Sequence, residues 1–184
     1  MNKRVKTILI IVIVSILTLI TCKGMGDIII KRLYPIHYKE EVYKYSEQNE
    51  VDVLLIFSII KAESNFNTQS ISVSGAKGLM QLMDATAADM AKRLEFGEYD
   101  LFKPDDNICL GTKYISTLLQ YYNNNVYLAL AAYNAGIGNV NKWIENGIIK
   151  EDGSDIENIP FKETQNYVRK VMRNYRIYER ANSK

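Results

Sequence analysis

The stretch from Val51 to Ala62 constrains this chain more than any other. Read as a helix from Val53 to about Ser64, with Asp52 as its N-cap, it is apolar on nearly every side. A helix without a polar face has to lie inside, so other elements must pack around it. Near its end stands Glu63, preceded on the same face by Ile60, Ile59 and Ile56. A carboxyl group on such a stripe is drawn out of water, which disfavours its ionised form and raises its pKa. A carboxyl that keeps its proton near neutral pH can act as a general acid. From the helix alone an equally good reading remains: a helix-end carboxylate that reaches solvent or pairs with Lys61 or Lys77.

The pattern around this helix is also helical. Tyr38, Val42 and Tyr45 share a face over Tyr38 to Gln48. After a turn-rich segment from Ser70 to Gly78, Asp84 is expected to cap a helix from Ala85 to about Leu94. Pro104 opens a helix to about Tyr122, and the three asparagines 123–125 form a turn. An alanine-rich helix follows from Val126 to Ala135, with Gly136 as a left-handed stop. A short helix spans Asn139 to Glu145, a polar loop Gly147 to Ile159, and a last helix about Lys162 to Arg180. In that last helix Tyr167, Val168, Val171, Tyr175 and Tyr178 mark the packed face, and Arg169, Lys170, Arg173, Arg176 and Arg180 the solvated one. The domain is mainly α, with room for one small hairpin near Ser72 to Met80.

Composition removes several classes of chemistry. The formal net charge of +2 argues against a dedicated nucleic-acid binder. One histidine, His37, and two cysteines, Cys22 and Cys109, are too few for the usual His- or Cys-rich zinc site. Ser-His-Asp or Cys-His catalysis would rest on His37, which has no nucleophile motif near it. No metal and no organic cofactor is expected. A Cys22–Cys109 disulfide is not expected either, because Cys22 closes an apolar leader and Cys109 lies in a helical pattern.

That leader reads as a membrane element. Lys3, Arg4 and Lys6 precede an apolar run from Ile8 to Ile20, an order that holds the N-terminus in the cytoplasm. The segment preceding Cys22 lacks the small residues of a cleavage site, so residues 1–23 are expected to be an uncleaved signal anchor. The alternative is secretion after cleavage. Residues 24–37 then form a tether, and residues 38–184 a domain outside the cytoplasmic membrane.

Four blocks carry a resemblance. They are Glu63-Ser64-Asn65-Phe66 with Gly75-Ala76-Lys77-Gly78-Leu79-Met80-Gln81-Leu82-Met83, then Asn107-Ile108-Cys109-Leu110-Gly111, then Ala129 to Gly136, then Pro160 to Val168. In content and order they resemble lytic transglycosylases with a goose-lysozyme-like SLT domain, over about Tyr38 to Tyr178. The resemblance implies a lysozyme-like fold and cleavage of peptidoglycan glycan strands. It implies that Glu63 is the single catalytic acid and base, and that Ser72 contacts the sugar near the reacting centre. It further implies that Gly75 and Gly78 turn tightly beside the glycan and that Met80 and Gln81 line the groove floor. Tyr133 matches the family's active-site tyrosine, with Asn134 beside it, and Glu163 a carboxylate closing the far side of the groove.

One departure bears on mechanism: Asp84 stands where the family usually has proline. With one cycling carboxyl, the reaction gives a 1,6-anhydromuramoyl product without water. Were Asp84 to face Glu63 across the groove, a lysozyme-like hydrolase with two carboxylates would follow instead. A non-catalytic glycan-binding module is the remaining alternative. Expected partners are glycan strands, the membrane through the N-terminal segment, and cell-wall machinery proteins.

Overall fold

The computed structural model describes residue 30 and residues 32–182. Residues Ile36–Glu179 form one compact unit. The described residues before and after it belong to a second, in which the Tyr34 N–H donates to the Ile30 carbonyl at 2.8 Å. The signal anchor expected over residues 1–23 lies outside the described residues, as does half of the expected tether, residues 24–29 and 31. Among the described residues no helix is long and apolar enough to cross a membrane.

The main unit is mainly helical. Its elements are α1 (Lys39–Asn49), α2 (Val53–Glu63), α3 (Asp84–Arg93), α4 (Pro104–Tyr121), α5 (Val126–Ala135) and α6 (Ile137–Glu145). A short 3-10 turn (Ile156–Asn158) follows, then α7 (Lys162–Asn182), which belongs to this unit as far as Glu179. The α2 helix is the central one its sequence requires. Asp52 caps it, the carboxylate accepting from the Leu54 N–H at 2.8 Å. Ile56, Ile59 and Ile60 have no exposed surface. Ser58, buried in this apolar run, donates to the Leu54 carbonyl at 2.6 Å and so leaves no orphan hydroxyl. On one side α7 lies against α2, with Tyr178 ring to ring with Phe57 at 5.9 Å and Asn174 donating to the Ser58 carbonyl. The long α4 packs against α1, α3 and α5.

Between α2 and α3 the chain folds back on itself instead of forming a strand. Ile71 and Lys77 make one antiparallel bridge, Lys77 and Leu82 another, and no strand occurs among the described residues. The anticipated hairpin is thus reduced to two isolated pairs. At its tip Gly75 takes φ 85°, a left-handed value that suits glycine. Gly78 shares that conformation, with φ 75°, and has a second reason to be glycine. A Cβ there would sit 2.1 Å from the Leu101 carbonyl oxygen and 2.3 Å from Asn107 Nδ2.

Two local expectations are corrected. Asp84 does not cap α3: the helix begins at Asp84 itself, Met83 holds the cap position, and no side chain caps it. Asp84 instead takes Lys77 Nζ on both carboxylate oxygens, at 2.7 and 2.8 Å. Gly136 has φ 84° but ψ 147°, so it is not a left-handed stop, and α6 starts at the very next residue, Ile137.

Asn107 locks this folded-back segment to α4. Its side chain is fully buried, accepts from the Met80 N–H at 2.8 Å, and donates to the carbonyls of Leu101 at 2.9 Å and Lys77 at 3.0 Å. Truncating it leaves a buried N–H and buried carbonyls without partners. Asn107→Ala is therefore expected to lower the unfolding free energy by about 3 kcal/mol, read from urea denaturation midpoints at constant slope.

Candidate active site

Glu63 is the last residue of α2, half-buried at the end of the isoleucine stripe. The next residue, Ser64, is buried and donates to the Leu79 carbonyl at 2.8 Å, which pins the helix end to the folded-back segment. Asn65 and Phe66 then turn the chain with φ 51° and 66°. A left-handed phenylalanine is strained, and it is held by packing: Phe66 is 7% exposed and lies against Phe57 and His37.

Burial is the main influence on the carboxyl and pushes its pKa from 4.5 up to about 7. Two groups act in the opposite direction, first the Tyr167 hydroxyl and then the Lys170 ammonium, while Glu163 raises the pKa further. All three come from α7, at the spacings of four and three that place them on one helical face. The Tyr167 hydroxyl is buried and faces the Glu63 carboxyl, whose ionised form it favours. Lys170 Nζ donates to the carbonyl of Ala62, the residue before Glu63. This places a cation at the C-terminal end of α2, where the helix dipole favours it.

Tyr133 enters from the end of α5. Its hydroxyl donates to the Met80 carbonyl at 2.8 Å, and its ring lies parallel to that of Tyr167 with centroids 6.4 Å apart. Tyr114 packs on it at 5.0 Å. Burial and the nearby Glu63 carboxyl raise the Tyr133 pKa well above its ordinary value, so it remains a neutral phenol.

The other anticipated site residues are placed as follows. Ser72 accepts the Ala76 N–H on its hydroxyl at 2.9 Å and exchanges backbone bonds across the same turn. Gln81 takes φ 50°, and its amide donates to the carbonyls of Ser70 and Gly78 at 3.0 and 2.9 Å. Asn134 accepts from the Thr164 hydroxyl at 2.7 Å and so joins the end of α5 to the first turn of α7. Glu163 is exposed in that first turn. Met80 has no exposed side chain. Its sulfur lies under Gly111, where a Cβ would come within 2.4 Å, so the methionine is packed as core rather than presented on a groove floor. Asp84, anchored to Lys77, is not among the groups that act on Glu63. Tyr167 and Lys170, read from the sequence as packed and solvated residues, are brought to Glu63 instead. Their spacing from Glu163 on one helix was the available signal.

The arrangement supplies one proton-holding carboxyl, two neutral phenols and one ammonium group. Among the described residues no three His, Cys, Asp or Glu side chains converge to hold a metal ion.

Residues 40–155 match the family described as Transglycosylase SLT domain. The soluble lytic murein transglycosylase of Salmonella typhimurium is 35% identical over 144 residues, covering 76% of this chain and 22% of that protein. The crystal structure of the 70 kDa soluble lytic transglycosylase of Escherichia coli superimposes with a TM-score of 0.74 at 30% identity, over 82% of this chain and 25% of that one. An inactive Glu-to-Gln mutant of lytic transglycosylase Slt from Pseudomonas aeruginosa gives 0.73 at 34% identity, over 80% and 24%. The chain thus spans about a quarter of the length of these relatives. Four ordered sequence blocks, the helical architecture and the matched residues agree, and the chain belongs to the Transglycosylase SLT domain family.

Proposed function

We propose that this chain is a peptidoglycan lytic transglycosylase that cleaves the β-1,4 bond between N-acetylmuramic acid and N-acetylglucosamine without water. The observation that carries the reading is the Glu63 carboxyl at the end of an apolar helix, its pKa lifted by burial to about 7. The inactive Glu-to-Gln form of the Pseudomonas relative supports a reaction dependent on one such carboxyl.

Glu63 first gives its proton to the oxygen that leaves from the muramic acid anomeric carbon. The carbonyl oxygen of the sugar's own N-acetyl group stabilises the developing cation. The Glu63 carboxylate then takes the proton of the muramic acid 6-hydroxyl, whose oxygen closes on the anomeric carbon. The products are a 1,6-anhydromuramoyl end and a free sugar hydroxyl, and Glu63 is protonated again. Tyr167 and Lys170 favour the carboxylate formed midway, while burial and Glu163 favour the acid at the start. The opposition keeps both forms accessible near neutral pH. Asp84 is tied to Lys77, which favours this one-carboxyl route over hydrolysis by a pair of acids. In this reading Ser72, Gly75, Gly78, Gln81, Tyr133, Asn134 and Glu163 shape and border the glycan site, and Met80 supports it from the core.

We also infer that residues 1–23 anchor the chain in the cytoplasmic membrane, with the catalytic domain on the outer side and glycan strands as its partner. Edman sequencing of the membrane fraction is expected to find an N-terminus ahead of the apolar run Ile8 to Ile20; a mature N-terminus at or beyond Cys22 refutes the anchor.

Purified protein acting on sacculi is expected to release anhydromuropeptides, one water lighter by mass spectrometry than hydrolysis products. Glu63→Gln should lower this release by about a thousandfold or more. Products of hydrolytic mass, or full activity in the variant, would contradict the mechanism.

The same carboxyl has a stability consequence. Its folded pKa lies above its unfolded one, so the folded state binds the proton more tightly. Below about pH 4.5 both states are protonated and nothing is lost. Between there and about pH 7 the fold loses stability progressively, and above that the loss is complete, at most about 3 kcal/mol. Glu63→Gln is expected to melt at a higher temperature than the parent at pH 8, with the gap closing by pH 4.5.

A further inference from the structure

Helix α7 presents a second face. Arg169, Met172 and Arg176 are spaced by three and four, and at 3.6 residues per turn they fall on the opposite side of the helix from Glu163, Tyr167 and Lys170. They border a cavity of about 420 Å³, whose other walls come from Tyr127 at the start of α5 and from residues 152–157. That volume lies within the range of small-ligand sites.

The charges around this cavity do not neutralise one another. Arg169 and Arg176 form no ion pair among the described residues, although Asp152 and Glu157 border the same space. The wall that carries the acids is fixed by its own bonds. Asn125 Nδ2 donates to the Asp152 carbonyl at 2.6 Å, and the Ser154 N–H to the Asp152 carboxylate at 2.9 Å. Gln165 donates to the carbonyls of Glu157 and Ile159. A Cβ on Gly153 would press on Asn125 and Leu128 at 3.1 to 3.2 Å, so the segment is seated tightly. Little ordering of this wall is left for a ligand to impose.

The charge pattern selects the ligand. A uniformly anionic polymer would gain from the two guanidinium groups and lose against the two carboxylates. A molecule carrying both signs gains from all four. Guanidinium forks suit carboxylates, and the two arginine Cα atoms are about 10 Å apart along the helix, with Met172 between them. The geometry points to a binding site, separate from Glu63, for a short amphoteric peptide bearing spaced carboxylates and a free ammonium group. This is the chemical class of the stem peptides of peptidoglycan. The source of the peptide rests on the wall-cleaving reading above; its chemistry rests on the cavity alone. Such a site would hold the enzyme on the peptide-bearing network while the glycan strand is cut elsewhere on the domain.

The test is isothermal titration of the full-length protein in detergent with a synthetic stem tetrapeptide, alanyl-γ-glutamyl-diaminopimelyl-alanine. Binding is expected, and it should weaken by about tenfold or more in Arg169→Gln/Arg176→Gln and likewise in Asp152→Asn/Glu157→Gln. Poly(glycerol phosphate) should bind less tightly than the tetrapeptide. In the arginine variant, KM for stem-bearing strands should rise while kcat and the cleavage of stem-free glycan stay unchanged. No binding at millimolar tetrapeptide, equal binding by parent and both variants, or tighter binding of poly(glycerol phosphate) would overturn the proposal. The titration involves no cleavage. Intact, arginine-dependent binding in a protein that cuts no glycan would therefore count against the lytic reading and leave the peptide site standing.

Discussion

Three polar side chains from three parts of the fold close on two consecutive residues. Ser64, just after α2, donates to the Leu79 carbonyl; Tyr133 of α5 donates to the Met80 carbonyl; Asn107 of α4 accepts the Met80 N–H. Leu79 and Met80 are themselves buried, so their backbone groups would be left unsatisfied if any of the three were removed. A segment with only two isolated bridges of its own is thereby made a fixed part of the core. The end of α2, and with it Glu63, takes its position from the same node.

The environment of Glu63 is a balance in which no single influence suffices. Burial alone would hold the proton and leave a poor base. The Tyr167 hydroxyl and Lys170 alone would strip it and leave a poor acid. Their opposition around a pKa of about 7 suits one group to both halves of the proposed reaction. It also means that the fold carries a carboxyl that would be easier to bury as an amide. Left-handed Asn65, Phe66 and Gln81 lie on the two segments that meet here. Strain and a desolvated acid concentrated in one place mark a site held by the surrounding core rather than by local preference.

Much of this was legible before the structure. Residue periodicity located the helices, because a buried face has to recur every three or four positions. Asp52 is the cap it was read as, since an N-cap is a local interaction with an N–H two residues away. Asp84 was misread for the converse reason: its partner, Lys77, lies across a folded-back turn, and an ion pair formed there displaced the local cap. Met80 sits in a motif that resembles a glycan contact, yet its thioether fills the space left by Gly111. Motif membership does not distinguish a residue that touches a ligand from one that supports the residue that does.

The sequence by itself determined that α2 must be central and that Glu63 must end it on an apolar stripe, because both follow from spacing along one helix. It also determined the family, through four blocks in order. Only the tertiary structure decided which groups would surround the carboxyl. Tyr167 and Lys170 lie more than a hundred residues from Glu63 in the chain, and their effect on it depends on the packing of α7 against α2. It likewise decided that Asp84 would pair with Lys77 and that two arginines on the far face of α7 would border a cavity without forming an ion pair among the described residues. Electrostatic influence follows distance in space, and a sequence specifies that distance only through the fold.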